Sequence, residues 1–221
     1  MTVVVLLGAP GAGKGTQAPI LADRLAVPHV ATGDLFRAAV RDGTPVGNEA
    51  AGYMERGELV PDDITIRMLL ERLRQPDASV GAILDGFPRN RRQAEALDEA
   101  LGERSQKVAM AIVIEVPAED LVRRMSGRWI CRSAGHVYNV TSRPPRVAGH
   151  CDIDDSPLYQ REDDQVETVR ARLAQQLGAL GDVVAYYRER HILETVDGRA
   201  PAAAVTEQLI AKVAVGLARV V

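Results

Sequence analysis

The sequence predicts an α/β fold in which a parallel sheet of about five strands lies between two layers of helices. Four apolar runs recur along the chain, at 3–7, 80–84, 108–116 and 192–196, and residues 29–32 form a shorter fifth candidate. The runs are nearly continuous instead of alternating, which is typical of strands buried on both faces of a parallel sheet. Amphipathic patterns separate the runs, and such strand–helix alternation predicts a three-layer arrangement.

The predicted helices begin at residues that favour a helix start. Residues 61–74 begin with a proline, which is favoured in the first helical turn. The helix after Pro117 carries Glu119 and Asp120 in its first turn, where acidic side chains complement the helix dipole. The longest amphipathic pattern runs over 163–190, and we expect one long helix there.

Two segments interrupt the alternation. Residues 31–60 have a polar, helical pattern, and residues 127–164 combine glycines and prolines with short strand-like fragments. We expect both to be insertions into one core that consists of 1–30, 61–126 and 165–221. The sequence contains neither an internal repeat nor a low-complexity tract.

Composition excludes several classes of protein. A net charge of −3 over 221 residues does not indicate binding to nucleic acid or to a membrane surface. The first apolar run is too short for a signal peptide, and no stretch approaches the length of a membrane span. Only Cys131 and Cys151 are present, which fits a reducing compartment. We therefore expect a cytoplasmic protein without nucleic-acid or membrane partners.

The stretch Gly8–Thr16, GAPGAGKGT, directly follows the first predicted strand. Its glycines tolerate positive φ, so the backbone N–H groups can close around an anion. The helix that begins near Lys14 points its positive dipole end at the same place, and the lysine adds a mobile charge. The pattern G-x-x-x-x-G-K between a strand and a helix predicts a phosphate-binding loop, although Gly15 stands where Ser or Thr is usual. The predicted phosphate-binding residues are Gly11, Ala12, Gly13, Lys14, Gly15 and Thr16.

Five motifs resemble, in order and spacing, the successive motifs of the adenylate kinase family. They are GAPGAGKGT, TGDLFR (Thr32–Arg37), GELVPD (Gly57–Asp62), LDGFPRNRRQA (Leu84–Ala94) and YQREDDQVETVRARL (Tyr159–Leu173). The resemblance covers essentially the whole chain and is closest to the long-lid bacterial type. It implies a P-loop NTPase-type fold, with a helical AMP-binding insertion at 31–60 and a small β-rich lid at 127–164.

The resemblance also implies the reaction, which is a reversible, Mg²⁺-dependent phosphoryl transfer from ATP to AMP that yields two ADP. The barrier to such a transfer is largely electrostatic, and arginines supply permanent charge with planar donors. The residues implied as catalytic are Lys14, Arg89, Arg124, Arg128, Arg161 and Arg172. Those implied to bind ATP are the glycine loop with Arg124, Arg128, Val137, Tyr138 and Gly198. Those implied to bind AMP are Thr32, Gly33, Arg37, Glu58, Leu59, Val60, Gly86, Arg89, Gln93, Arg161 and Arg172.

Three residues are expected to position the metal and select the base. Asp85 follows a predicted strand, at the sheet edge where α/β proteins bind ligands, and we expect it to hold Mg²⁺ through water. Gln93 offers a donor and an acceptor, which suit adenine. Thr32 matches the threonine of adenylate kinases, whereas UMP/CMP kinases have a small residue there and a short lid. The alternatives are a UMP/CMP kinase and a non-catalytic P-loop nucleotide switch.

The two cysteines resemble half of the structural zinc site found in some long-lid relatives. Ala134 stands where a second cysteine is expected, so His136 would complete the set Cys131, His136, Cys151 and Asp154. Tetrahedral zinc accepts sulfur, nitrogen and oxygen ligands. Two reduced thiols or a disulfide are the alternatives. His150 is a less natural ligand because it adjoins Cys151. We expect a monomer that acts on ATP, AMP and ADP.

Overall fold

The computed structural model describes residues 2–56 and 58–218. Gly57, which opens the GELVPD motif, lies outside the described residues. In chain order the elements are β1 (Thr2–Leu7), α1 (Lys14–Leu25), β2 (His29–Ala31), α2 (Thr32–Arg41), α3 (Pro45–Glu55), α4 (Asp62–Leu73), β3 (Gly81–Asp85), α5 (Arg91–Gly102), β4 (Lys107–Glu115), α6 (Ala118–Ser126), β5 (Arg128–Cys131), β6 (Val137–Asn139), β7 (Leu158–Tyr159), α7 (Val166–Glu189), β8 (Leu193–Asp197) and α8 (Ala202–Ala218).

The central sheet has five parallel strands in the order β2-β3-β1-β4-β8, which confirms the predicted fold class. In the middle of β1, Val4 lies opposite Ile83 of β3 and Met110 of β4. All three side chains are buried, because helices cover both faces of the sheet. The parallel register brings the carboxyl ends of the strands, and the loops that follow them, to one edge.

The side chains of β1 divide the core into two halves. Val4 and Leu6 face a cluster that contains side chains of α1, α6 and α8, whereas Val3 and Val5 face a cluster formed with α4 and α5. The first half of α7 packs into one cluster and its second half into the other. The helix α7 therefore contacts both halves of the core.

The long helix begins later than its amphipathic pattern predicts. Residues Glu162–Asp164 form a short 3₁₀ turn, and Gln165 is extended before α7 begins. The side chains of Asp163 and Asp164 bind Arg172 and Arg128 in this turn. These carboxylates are therefore engaged with arginines instead of capping a helix.

Each predicted insertion contributes to a small apolar cluster that is separate from the two clusters of the central sheet. The helices α2 and α3 pack around Phe36 and Ala50, and this cluster also includes Ile64 of α4. The antiparallel sheet of order β6-β5-β7 encloses a cluster that contains Cys131 and Cys151. Among the described residues, no helix combines the length and apolar character that a membrane crossing requires.

Candidate active site

The glycine loop connects β1 to α1 by a turn that side chains would obstruct. Gly8, Gly11 and Gly13 have φ of +150°, +83° and +102°. A Cβ at Gly8 would lie 3.0 Å from the carbonyl oxygen of Ile114. The helix α1 begins at Lys14, whose Nζ donates to the carbonyl oxygens of Gly8 at 2.7 Å and Ala9 at 3.2 Å. The loop thus brings a helix N-terminus and an ammonium group to the edge of the sheet.

Lys14 lies among other cations. Burial lowers the pKa of its ammonium group, and the charges of Arg89, Arg172 and Arg128 lower it further. The negative charge of Asp85 raises the pKa of Lys14 and offsets part of this decrease. Such a concentration of positive charge is a binding site for an anion that carries several negative charges.

Arg37 and Arg161 extend this positive region. Burial lowers the pKa of Arg89, as do the charges of Arg172 and Arg37. The pKa of Arg161 is lowered by burial and by the charges of Arg37 and Arg128. The buried Nε atoms of Arg161 and Arg172 have no hydrogen-bond partner in the part of the chain that the structure describes. Since unsatisfied buried donors are rare, these atoms point to a bound acceptor.

Two adjacent acids hold two of the arginines. The Nε atom of Arg128 donates to Asp164 Oδ2 at 2.8 Å, and Asp164 is fully buried. The Nη1 atom of Arg172 donates to Asp163 Oδ2 at 2.6 Å and to the Asp163 carbonyl oxygen at 3.0 Å. The two acids therefore fix the orientation of both guanidinium groups.

A cavity beside these arginines collects most of the residues predicted to bind AMP. Its lining includes the predicted residues Thr32, Gly33, Arg37, Glu58, Leu59, Val60, Arg89, Gln93 and Arg172. Gly86 adjoins it, because its carbonyl oxygen accepts from the Thr32 hydroxyl at 2.9 Å and from Arg89 Nε at 2.7 Å. Phe36 and Met54 also line the cavity, and the sequence analysis missed them. Their helices, α2 and α3, supply an apolar wall that periodicity alone does not distinguish from core.

The residues predicted to bind ATP outside the glycine loop, all of which the structure describes, do not line this cavity. Arg124 Nη2 donates to the carbonyl oxygen of Gly198 at 2.8 Å, so these two predicted residues meet. Val137 is exposed at the start of β6. Tyr138 is buried, and its hydroxyl lies 3.4 Å from Cys151 Sγ. The Tyr138 side chain therefore belongs to the interior of the small sheet, which does not support its predicted contact with ATP.

Asp85 ends β3 and faces the glycine loop. Its Oδ2 lies 3.5 Å from His29 Nε2, and a Cβ at Gly15 would lie 3.8 Å from the same oxygen. Burial opposes ionisation, but the His29 contact and the charge of Lys14 outweigh it, so the pKa of Asp85 lies below its ordinary value. An ionised carboxylate beside a phosphate loop is a suitable ligand for Mg²⁺. The neighbouring strand that places His29 here was predicted, but the contact was not.

The four residues proposed as metal ligands come together in the small sheet. The ligand atoms of Cys131, His136, Cys151 and Asp154 all lie within 4.8 Å of one another. His136 Nδ1 is 3.2 Å from Cys151 Sγ, and both Asp154 oxygens are 3.3 Å from Cys131 Sγ. The second histidine, His150, turns instead toward Asp155. Two sulfurs, a nitrogen and an oxygen at this spacing fit a tetrahedral metal ion.

Comparison with known proteins identifies the family of the chain. The family model described as "Adenylate kinase" matches residues 6–192. Adenylate kinase of Staphylococcus aureus is 44% identical over 207 residues, which cover 94% of this chain and 96% of that protein. Adenylate kinase of Staphylococcus epidermidis has the same identity and coverage. The chain therefore belongs to the adenylate kinase family and is a nucleoside monophosphate kinase.

Proposed function

We propose that the protein catalyses the reversible transfer of the γ-phosphoryl group from ATP to AMP, forming two ADP. One observation carries this proposal, the convergence of Lys14 with buried arginines beside a base-sized cavity. Two nucleotides that meet there would bring their phosphates into the region where positive charge is concentrated. Direct in-line transfer requires such charge and positioning more than covalent chemistry.

The arginines divide this work according to where they lie. Arg37 and Arg89, which line the cavity, would bind the AMP phosphate. Arg172 lies between that cavity and Lys14 and would bridge the donor and acceptor phosphates. Arg128 and Arg161 would contact the transferring group, and their repulsion would be relieved as negative charge arrives. Arg124 beside Gly198 would contact ATP.

Mg²⁺ fits the donor set near the glycine loop. Asp85 would hold the ion through water, because magnesium keeps much of its hydration shell. When bound, the ion neutralises charge on the β- and γ-phosphates. The chain itself contributes the ionised carboxylate and keeps it beside Lys14.

The adenine of AMP would occupy the cavity between Leu59, Val60 and Gln93. Thr32 donates its proton to the Gly86 carbonyl, so its oxygen retains lone pairs that can accept from the base. Thr32 matches the threonine of adenylate kinases, where UMP/CMP kinases have a small residue, and together with Gln93 it supports AMP over a pyrimidine nucleotide.

We further propose that segments 31–60 and 127–164 move as two flaps on the core. The second segment has an apolar cluster within its own small sheet, and the cluster of the first segment continues onto Ile64 of α4, where that segment meets the core. Closure would bring Arg128 and Arg161 onto the phosphates and exclude water, so that the phosphoryl group is transferred and not hydrolysed. Gly127 begins the second segment, and the Gly86 carbonyl accepts from Thr32 near the start of the first, so both glycines lie where the segments would hinge.

The lid would carry one structural Zn²⁺, held by Cys131, His136, Cys151 and Asp154. The donor set of two sulfurs, one nitrogen and one oxygen fits zinc, and four protein ligands would give the metal a structural role. We propose that the protein acts as a monomer on ATP, AMP and ADP in the cytoplasm.

Nucleotide analysis by chromatography tests the reaction. The protein is incubated with ATP, AMP and Mg²⁺, and we expect ADP to form from both substrates. CMP and UMP as competing acceptors separate this activity from that of a UMP/CMP kinase. A protein that binds ATP but forms no ADP, and whose binding survives Arg89→Ala, would instead be a nucleotide switch.

A further inference from the structure

Asp62, the last residue of the GELVPD motif, has no role in the reaction as proposed. It begins α4 and is half-buried, and it is not among the described residues that line the acceptor cavity. Its Oδ1 accepts two hydrogen bonds, from Asn90 Nδ2 at 2.9 Å and from Gln93 Nε2 at 2.7 Å. Asn90 caps α5 and Gln93 lies in its first turn, so Asp62 ties the start of α4 to the start of α5.

Two backbone N–H groups decide which end of each amide faces Asp62. The Arg89 N–H donates to Gln93 Oε1 at 2.8 Å, and the Gln93 N–H donates to Asn90 Oδ1 at 2.9 Å. A backbone N–H can only donate, so both amide oxygens are committed and both amide nitrogens face Asp62. An ionised carboxylate only accepts hydrogen bonds, so Asp62 can accept from the amide nitrogens of both Asn90 and Gln93.

The network leaves Gln93 with a defined pair of free groups. A glutamine amide has two donor hydrogens and an oxygen with two lone pairs. Asp62 takes one hydrogen and the Arg89 N–H takes one lone pair, so one of each remains for a ligand. Gln93 is 1% exposed and lines the cavity. A glutamine amide can pair with the 6-amino group and N7 of adenine, whereas a 6-oxopurine presents two acceptors, O6 and N7, on that edge.

We propose that Asp62 is a positioning residue that sets the base preference of the acceptor site by fixing the orientation of the Gln93 amide. The inference rests on the proposed function and specifies how the same cavity distinguishes 6-amino from 6-oxo purines. Without Asp62, the Gln93 Nε2 group would lose its acceptor while its side chain remained buried. Because an unsatisfied buried donor costs free energy, Gln93 would leave the orientation that matches adenine.

Asp62→Ala tests this role through the ratio of kcat/KM for AMP to kcat/KM for inosine monophosphate. The two acceptors carry the same phosphate, so the ratio reports on the base alone. We expect the ratio to fall about tenfold, the effect of one well-placed hydrogen bond, while KM for ATP changes less than about twofold. Asp63→Ala is the matched control, because Asp63 is exposed and contributes the same charge to the same helical turn. We expect it to keep the parent ratio.

Asn90→Asp is the second variant, and it keeps Asp62 in place. Aspartate caps a helix as well as asparagine does, so α5 should still form, but the new carboxylate repels Asp62. We expect the same loss of base preference, and thermal melts confirm that each variant is folded. A ratio within about twofold of the parent value in both folded variants would overturn the inference. An equal fall of the ratio in Asp63→Ala would also overturn the inference.

The failure of this inference is distinguishable from failure of the proposed function. A parent protein that forms no ADP would refute the kinase reaction. In that case, calorimetric affinities for AMP and inosine monophosphate supply the same ratio without turnover. A parent preference for AMP that Asp62→Ala reduces would still support the inference, and an unchanged preference would refute it.

Discussion

Arg128 binds the carboxylate of Asp164 with two of its nitrogens, and Asp164 has no exposed surface. Arg128 belongs to β5 of the small sheet, and Asp164 lies in the turn just before α7. The pair therefore joins the first and last parts of the lid segment at the border with the core. A buried carboxylate depends on its partner, because the desolvated charge is costly when it is alone.

Removing either partner of this pair should destabilise the fold. We expect Asp164→Ala to lower the free energy of unfolding by about 3 kcal/mol, because the Arg128 guanidinium would lose its buried counter-ion. Urea denaturation at neutral pH measures this change. Asp182→Ala is the control, since Asp182 is exposed on α7, and it should change stability by less than about 0.5 kcal/mol. A loss below about 1 kcal/mol for Asp164→Ala would mean that the pair is replaceable by water.

Arg89 should be necessary for turnover. We expect Arg89→Ala to lower kcat/KM for AMP by about a hundredfold or more, because a preorganised charged donor is lost at the phosphates. Steady-state kinetics with varied AMP measure it. Arg92→Ala is the neighbouring control, because Arg92 is exposed on α5, and its kinetics should match the parent. Equal activity of the two variants would place the acceptor phosphate elsewhere.

The four lid ligands should bind one zinc ion per chain. We expect elemental mass spectrometry of the untagged protein, purified without chelator, to find near-stoichiometric zinc. His136→Ala should lose the metal, and its melting temperature should fall by more than about 4 °C. His150→Ala should keep the bound zinc and the melting temperature of the parent, because His150 faces Asp155. Zinc retained by His136→Ala would assign the fourth ligand to another residue, and a parent without zinc would leave the thiols reduced or paired with each other.

Stability at alkaline pH should depend on Tyr186. Burial, together with the hydrogen bond that its hydroxyl donates to Asp98, raises the pKa of Tyr186 to about 12. An unfolded tyrosine titrates near pH 10, so above that pH the unfolded chain binds fewer protons than the folded one. The free energy of unfolding should therefore fall as pH rises from about 10 to about 12.

Tyr186→Phe should reduce this slope, which denaturation at several pH values measures. Some slope should remain, because burial also raises the pKa of Tyr187. Tyr53→Phe in α3 lies outside this cluster and should keep the parent slope. An unchanged slope in Tyr186→Phe would show that the Asp98 contact does not persist in solution.

Local pattern was sufficient for the central elements. The runs at 3–7 and 108–116 became β1 and β4 because continuous apolar residues can be buried only inside a two-sided sheet. The glycine loop followed from glycine chemistry and its position between strand and helix, and α1 begins at Lys14 as expected. These features depend on neighbours in the chain, which a sequence displays directly.

The contacts between side chains from distant parts of the chain could not be predicted from the sequence. His29 and Asp85 are far apart in the chain, and only the pairing of β2 with β3 brings them together. Phe36 and Met54 belong to the apolar cluster of α2 and α3 and also line the cavity, a second role that the sequence analysis did not predict. Motif membership marked Asp62, yet its two partners on α5 became visible only in the fold.

The sequence by itself determined the fold class, the phosphate loop, the family and the four residues that gather as a metal-type cluster. Hydrophobic periodicity, glycine placement and ordered motifs depend on residues that are close together in the chain, so they can be recognised in the sequence alone. The tertiary structure alone decided which acids hold Arg128 and Arg172 and which way the Gln93 amide points. Those choices depend on contacts between distant segments, where each donor takes the nearest acceptor that packing leaves within reach.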